Sequence, residues 1–151
     1  MPGNPLDLFV NPSFWSALLG WVAAQGTKMI LFFIKSGKFS MGFIVSTGGM
    51  PSAHSAMVSA LAASVALREG MESSVFAVTL AFALVVMFDA QSVRRAAGLQ
   101  ARLLNQMIEE LFKEHRFSEQ KLAELLGHTR LEVFLGMIMG VLMALLVHSF
   151  C

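Results

Sequence analysis

Four short runs in this 151-residue chain hold the residue types whose spacing could do chemistry. Lys28 lies inside a long apolar stretch. An ammonium at bilayer depth costs a few kcal/mol, so such residues usually face the protein interior and serve function. The alternative is snorkelling, in which a lysine near a helix end extends its amine to the interface. Lys28 lies roughly 10 Å below Lys35 along a helix, too deep for easy snorkelling. Lys35, seven residues on, shares its helical face.

The second run is Gly48-Gly49-Met50-Pro51-Ser52-Ala53-His54-Ser55. Two glycines free the backbone, Pro51 suits a helix start and Ser52 can cap it. Free N–H groups and the dipole at such an end favour an anion. A plain loop-to-helix junction would explain the Gly, Pro and Ser, but it leaves His54 without a reason. The third run is Gly127-His128-Thr129-Arg130-Leu131-Glu132-Val133. Thr129 and Glu132 have the spacing of a capping box, which by itself accounts for both. Equally, a carboxylate four residues after His128 could hydrogen-bond its ring, the arrangement that orients a nucleophilic or basic imidazole. The fourth run is Asp89-Ala90-Gln91-Ser92-Val93-Arg94-Arg95. Adjacent arginines after an apolar helix read either as cytoplasmic flanks or as a guanidinium fork for phosphate oxygens, and Asp89 could pair with one.

The elements that must position these residues are membrane helices. The chain is 56% apolar and 14% charged, with thirteen Phe, eleven Met and no Tyr, against roughly 25% charged in soluble domains. A net charge of +1 argues against nucleic acid as a partner, since that needs clustered excess base. Cys151 is the single cysteine, so no internal disulfide is expected. Residues before Phe14 carry Asp7 and no Lys or Arg, so no cleavable signal is expected. Candidate spans run from about Phe14 to Ile34, His54 to Leu67, Ser74 to Phe88, and Leu131 to Phe150. The second is shorter than the roughly 20 residues usually needed to span. Small residues (Ala56, Ser59, Ala60, Ala63, Ser64) recur down it, a composition that permits close packing. Glu109 to Glu124 is amphipathic, with Ser118 as a cap and Gly127 as a stop, and reads as a short surface helix. The expected fold is therefore all-α: one membrane-embedded domain over 1–151, a polytopic bundle of about four to five transmembrane helices plus that surface helix.

Charge gives an orientation. Nine of the eleven Lys and Arg fall either at Lys35 and Lys38 or between Arg94 and Arg130. Both loops are then expected in the cytoplasm and both termini outside, provided the short second segment crosses fully. All four runs reach the cytoplasmic ends, where a bundle would gather them into one basic pocket. No cluster has zinc-site spacing and carboxylates are too few for a magnesium cage, so chemistry there would need no metal and no cofactor.

Pro51-Ser52-Ala53-His54-Ser55 resembles the Pro-Ser-Gly-His motif of the type 2 phosphatidic acid phosphatase and vanadium haloperoxidase superfamily. His128-x-x-x-Glu132-Val133-x-x-Gly136 resembles its last motif, and Lys28 with Lys35 fits the spacing of its first. The match is nearer to the superfamily's small divergent branch, through Gln25 with Lys28, the Gly-Gly-Met-Pro-Ser-x-His-Ser run and the Asp-Ala-x-x-Val-Arg-Arg-x-Ala-Gly run. It covers about Asn11 to Gly140. The resemblance implies a metal-independent phosphatase acting on a membrane lipid or isoprenoid phosphate through a phosphohistidine. By it His128 attacks phosphorus, Glu132 orients it and His54 protonates the leaving oxygen. Lys28, Lys35, Ser52 and amides near Ala53 hold phosphate oxygens, while Gln25 and Asp89 support the site. Four departures stand out: Ala53 replaces Gly, Glu132 replaces Asp, Lys35 replaces Arg, and Leu122 stands where an Arg is expected. Arg94 or Arg95 could supply that guanidinium. The superfamily core has six helices, so a homodimer could complete the bundle. The rival reading is a non-catalytic membrane protein that binds an anionic headgroup or a partner in a silent pocket.

Overall fold

The computed structural model describes residues 4–37, 49–111 and 128–150. A 3₁₀ helix over Pro5–Val10 precedes five α-helices: α1 (Pro12–Ser36), α2 (Ala53–Glu69), α3 (Ser74–Gln91), α4 (Val93–Leu111) and α5 (Arg130–His148). No strand occurs among the described residues. Local sequence sets most of the boundaries. Asn11 caps α1 ahead of Pro12, and Gly37, at φ 65°, ends it in the left-handed conformation that glycine adopts freely. Ser52 and Ser73 cap α2 and α3 by accepting an N–H three residues on. Thr129 and Glu132 form a complete capping box at α5.

The described part of the chain is an all-α membrane bundle. Pro12–Ser36, Ser74–Ile108 and Arg130–His148 are long and apolar enough to cross a membrane. With 17 residues, α2 is about 26 Å long, slightly under the thickness of a hydrocarbon core. It lies at the centre of the bundle, packed against α1, α3 and α5, and side chains on every side of it are buried. The small residues read from its sequence are what make this central position feasible. Gly136 and Gly140 of α5 lie directly against it. A Cβ on Gly136 would strike the Ser52 carbonyl oxygen, and one on Gly140 would strike the Ala56 carbonyl oxygen and the Ser59 hydroxyl. Close approach of this kind drives helix association where lipid removes the hydrophobic incentive. Ser59 adds a hydrogen bond across the seam, its Oγ donating to the Met137 carbonyl at 3.2 Å.

The helix over 93–111 departs from the sequence expectation; only its last three residues fall in the expected surface helix. Ala96, Ala97, Leu99, Ala101, Leu103 and Leu104 are good helix formers, and a single residue, Ser92, separates α3 from α4. The rest of the expected surface helix, 112–124, lies outside the described residues.

Candidate functional site

Register along α2 decides which residues meet. Gly20 of α1 faces Ala56 and Ala60, and Ala24 packs with Ala53. α1 and α2 therefore run antiparallel, and Lys28, one turn beyond Ala24, reaches the level of the α2 N-terminus. At that same end the Ser52 N–H donates to the Glu132 carbonyl at 2.9 Å, and the His128 N–H donates to the Ala90 carbonyl at 3.1 Å. The starts of α2 and α5 and the last turn of α3 are thus tied together, with the second half of α1 alongside.

His128 is the centre of this cluster and is only 4% exposed. Its Nδ1 lies 3.0 Å from Glu132 Oε2. A carboxylate only accepts, so Nδ1 carries the hydrogen, and a neutral ring would present a lone pair at Nε2. Among the described residues, Nε2 is buried without a hydrogen-bond partner. The same Glu132 oxygen also accepts the Thr129 N–H at 3.0 Å. The two readings of Glu132, helix cap and histidine orienter, therefore hold at once. One carboxylate oxygen serves both because His128 and Thr129 are adjacent at the helix entrance.

Ser52 is fully buried. Its Oγ accepts the Ser55 N–H at 3.3 Å and the Ser55 hydroxyl at 3.0 Å. With both acceptor positions taken, its own O–H is the remaining capacity, a donor suited to an anion. The first-turn amides of Ala53 and His54 have no carbonyl within the helix to pair with. Lys28 is 5% exposed, and the Glu132 carboxylate acts on it as a counter-charge. It therefore faces the interior and does not snorkel.

Of the other expected residues, His54 and Gln25 are half-buried, His54 in the first turn of α2 and Gln25 one turn before Lys28. Asp89 is exposed in the last turn of α3. Lys35 is exposed. Seven residues carry it about 10 Å past Lys28 along the axis, beyond the start of α2. Arg94 and Arg95 form the first turn of α4, and their side chains lie outside the described structure, as does Gly48. Reading the sequence misses three neighbours of His128: Gln91, Ser92 and Arg130, which with Phe88 line a cavity of about 290 Å³ beside it. In the sequence Arg130 counts as a positive flank. Its position two residues from His128 is the available signal.

Comparison with known families settles the ancestry of this arrangement. A family model described as the divergent PAP2 family matches residues 9–143. The chain belongs to that family. The match takes in Lys28, Ser52, His54, His128 and Glu132 together. An uncharacterized membrane protein of Bacillus subtilis (strain 168), YuiD, is 40% identical over 156 residues, covering 96% of this chain and 99% of that protein. No solved structure matches.

Proposed function

We propose that this protein is a metal-independent phosphatase for a membrane lipid or isoprenoid phosphate, working through a phosphohistidine. The observation that carries the proposal is His128: Nδ1 tied to a carboxylate, Nε2 buried and left without a partner among the described residues. Burying an imidazole nitrogen unpaired costs stability, and such exceptions call for a functional reason. In the first step Nε2 attacks phosphorus, an N–P bond forms, and the bond from phosphorus to the lipid oxygen breaks. His54 gives that oxygen its proton. In the second step His54 takes a proton from water, the resulting hydroxide oxygen attacks phosphorus, and the N–P bond breaks to release inorganic phosphate. Lys28, the Ser52 hydroxyl and the first-turn amides of α2 surround the phosphoryl oxygens, where positive and hydrogen-donating groups lower the barrier most. Glu132 holds the ring and offsets its developing positive charge.

The test is phosphate release in detergent from a panel of lipid phosphates, with EDTA present. Brief incubation with a ³²P-labelled substrate and an alkaline quench should trap an acid-labile phosphoryl group on the protein. Turnover that depends on added divalent metal, or label that proves acid-stable, would overturn the mechanism. Vanadate binding with no turnover on any lipid would instead favour the silent-pocket reading.

The site is further proposed to face the cytoplasm, because in the sequence the basic residues at Lys35, Lys38 and Arg94 to Arg130 follow the first and third apolar helices and precede the second and fourth. Cysteines placed at 38 and 102 should label from the cytoplasmic side, and one at 72 from outside. Labelling of 38 and 102 from opposite sides would break this topology.

A further inference from the structure

Among the described residues, hollows lie along α5 on two sides, and they differ in whether His128 lines them. The polar one, about 290 Å³, lies between the end of α3 and the entrance of α5 and has His128 and Arg130 in its wall. An apolar groove of about 570 Å³ shares Phe88, Gln91 and Arg130 with it. That groove continues between α3 and α5 past Met87 and Phe134 to Leu84 and Met137. A second apolar groove, about 440 Å³, runs between α1 and α5. Neither His128 nor Arg130 lines it; its upper end is Met50 and Pro51.

Arg130 is exposed and, among the described residues, takes part in no hydrogen bond or ion pair. A guanidinium offers five N–H donors in a fork that matches two phosphate oxygens. In the wall of the same chamber stands His128, whose Nε2 has no partner among the described residues. An arginine and a histidine, each with hydrogen-bonding capacity unused among the described residues, thus line one small chamber that shares three lining residues with an apolar slot. From Arg130 to Met137 the slot extends about 10 Å along α5, the length of roughly eight methylenes.

We infer that Arg130 grips the substrate's phosphate beside His128, and that the substrate is a single-chain amphiphile, or presents one chain, whose first eight or so carbons lie in the α3–α5 groove. This rests on the phosphatase reading and adds to it the gripping residue and the side from which substrate enters. The same anionic chemistry would attract free phosphate, so the chain is what separates the two ligands.

The experiment measures dissociation constants of the full chain in detergent for two probes: vanadate, which has no chain, and octyl phosphate, which has one. Arg130→Gln should weaken both by at least tenfold, and Arg130→Lys should recover part of the loss. Leu84→Trp, which fills the α3–α5 groove, should weaken octyl phosphate tenfold and leave vanadate within twofold. Ile138→Trp, in the other groove, should change neither. If the unaltered protein binds vanadate and Arg130→Gln binds it equally well, the role of Arg130 is refuted and the phosphatase reading stands. If Ile138→Trp and not Leu84→Trp weakens octyl phosphate, the chain enters from the α1 side and the inference fails. If the unaltered protein binds neither probe, the phosphatase reading itself falls, and the inference with it.

Discussion

The helix α5 presents a histidine toward its neighbours at each of its ends, and the two are treated in opposite ways. At the entrance, His128 has one nitrogen fixed by Glu132 and the other buried without a partner among the described residues. At the exit, His148 Nε2 lies 2.7 Å from Ser64 Oγ, and Ser64 in turn lies 2.9 Å from Ser13 Oγ of α1. The exit chain is bonded at both of its links and ties three helices together. The entrance chain stops short and leaves a ring nitrogen unbonded among the described residues. A polar network that is fully satisfied rigidifies, whereas one left open is either a defect or a site. Between them every fourth residue of α5 (Glu132, Gly136, Gly140, Ala144) continues the same stripe, so one packed seam holds both ends in register.

The most direct way to break this comparison is to remove each imidazole in turn. His128→Gln should abolish phosphate release, a fall of at least about a thousandfold, as expected when a residue forming a covalent intermediate is lost. His148→Gln should keep turnover within twofold once equal amounts of folded protein are compared. Equal losses from the two would mean that the open and closed networks do the same work.

A smaller effect tests the seam between the ends. Gly140→Ala forces a methyl against the Ala56 carbonyl oxygen and the Ser59 hydroxyl, so α5 and α2 must move apart. Overpacking of this kind costs about 1–3 kcal/mol. Turnover should fall as well, because the Ser52–Glu132 strap depends on the same approach of α2 and α5. Gly26→Ala is the contrast: a methyl there would meet nothing within 4 Å among the described residues, so relief of a mid-helix glycine should stabilise by up to about 1 kcal/mol. Thermal midpoints in one detergent measure both. A Gly140→Ala protein as stable as the parent would show that the seam is loosely packed.

Legibility in the sequence follows the range of the interaction. The helix caps at Ser52 and Thr129, and the pairing of His128 with Glu132, lie within one helical turn and are readable from spacing. Lys28 is readable because an ammonium in an apolar helix has few places to go. What cannot be read is long-range: that the starts of α2 and α5 are strapped together, and that Ser64 of α2 meets both Ser13 and His148. Serines are common in tightly packed membrane helices, so no single one advertises its partner. Lys35 illustrates a different limit. Periodicity gives it the face of Lys28, but a shared face says nothing about height, and it lies beyond the start of α2. Arg130 is missed for the opposite reason: a role as flanking charge explains it so easily that its nearness to His128 goes unused.

The smallest expected effect concerns the closed end and separates its two members. His148→Ala removes one interhelical hydrogen bond, worth about 0.6 kcal/mol on average within membranes. Ser64 keeps Ser13 as a partner, so no buried hydroxyl is left alone by that change. Ser64→Ala removes both bonds and strands the Ser13 hydroxyl, which is 6% exposed, so its cost should be larger, about 1–2 kcal/mol. Combining the two changes should then cost little more than Ser64→Ala, since the His148 bond is already gone. A double-mutant cycle on thermal or denaturant midpoints gives that coupling directly. If His148→Ala proves costlier than Ser64→Ala, or if the two costs simply add, the exit histidine has a role that its bond to Ser64 does not explain. The entrance and exit of α5 would then differ less in kind than their hydrogen bonding indicates.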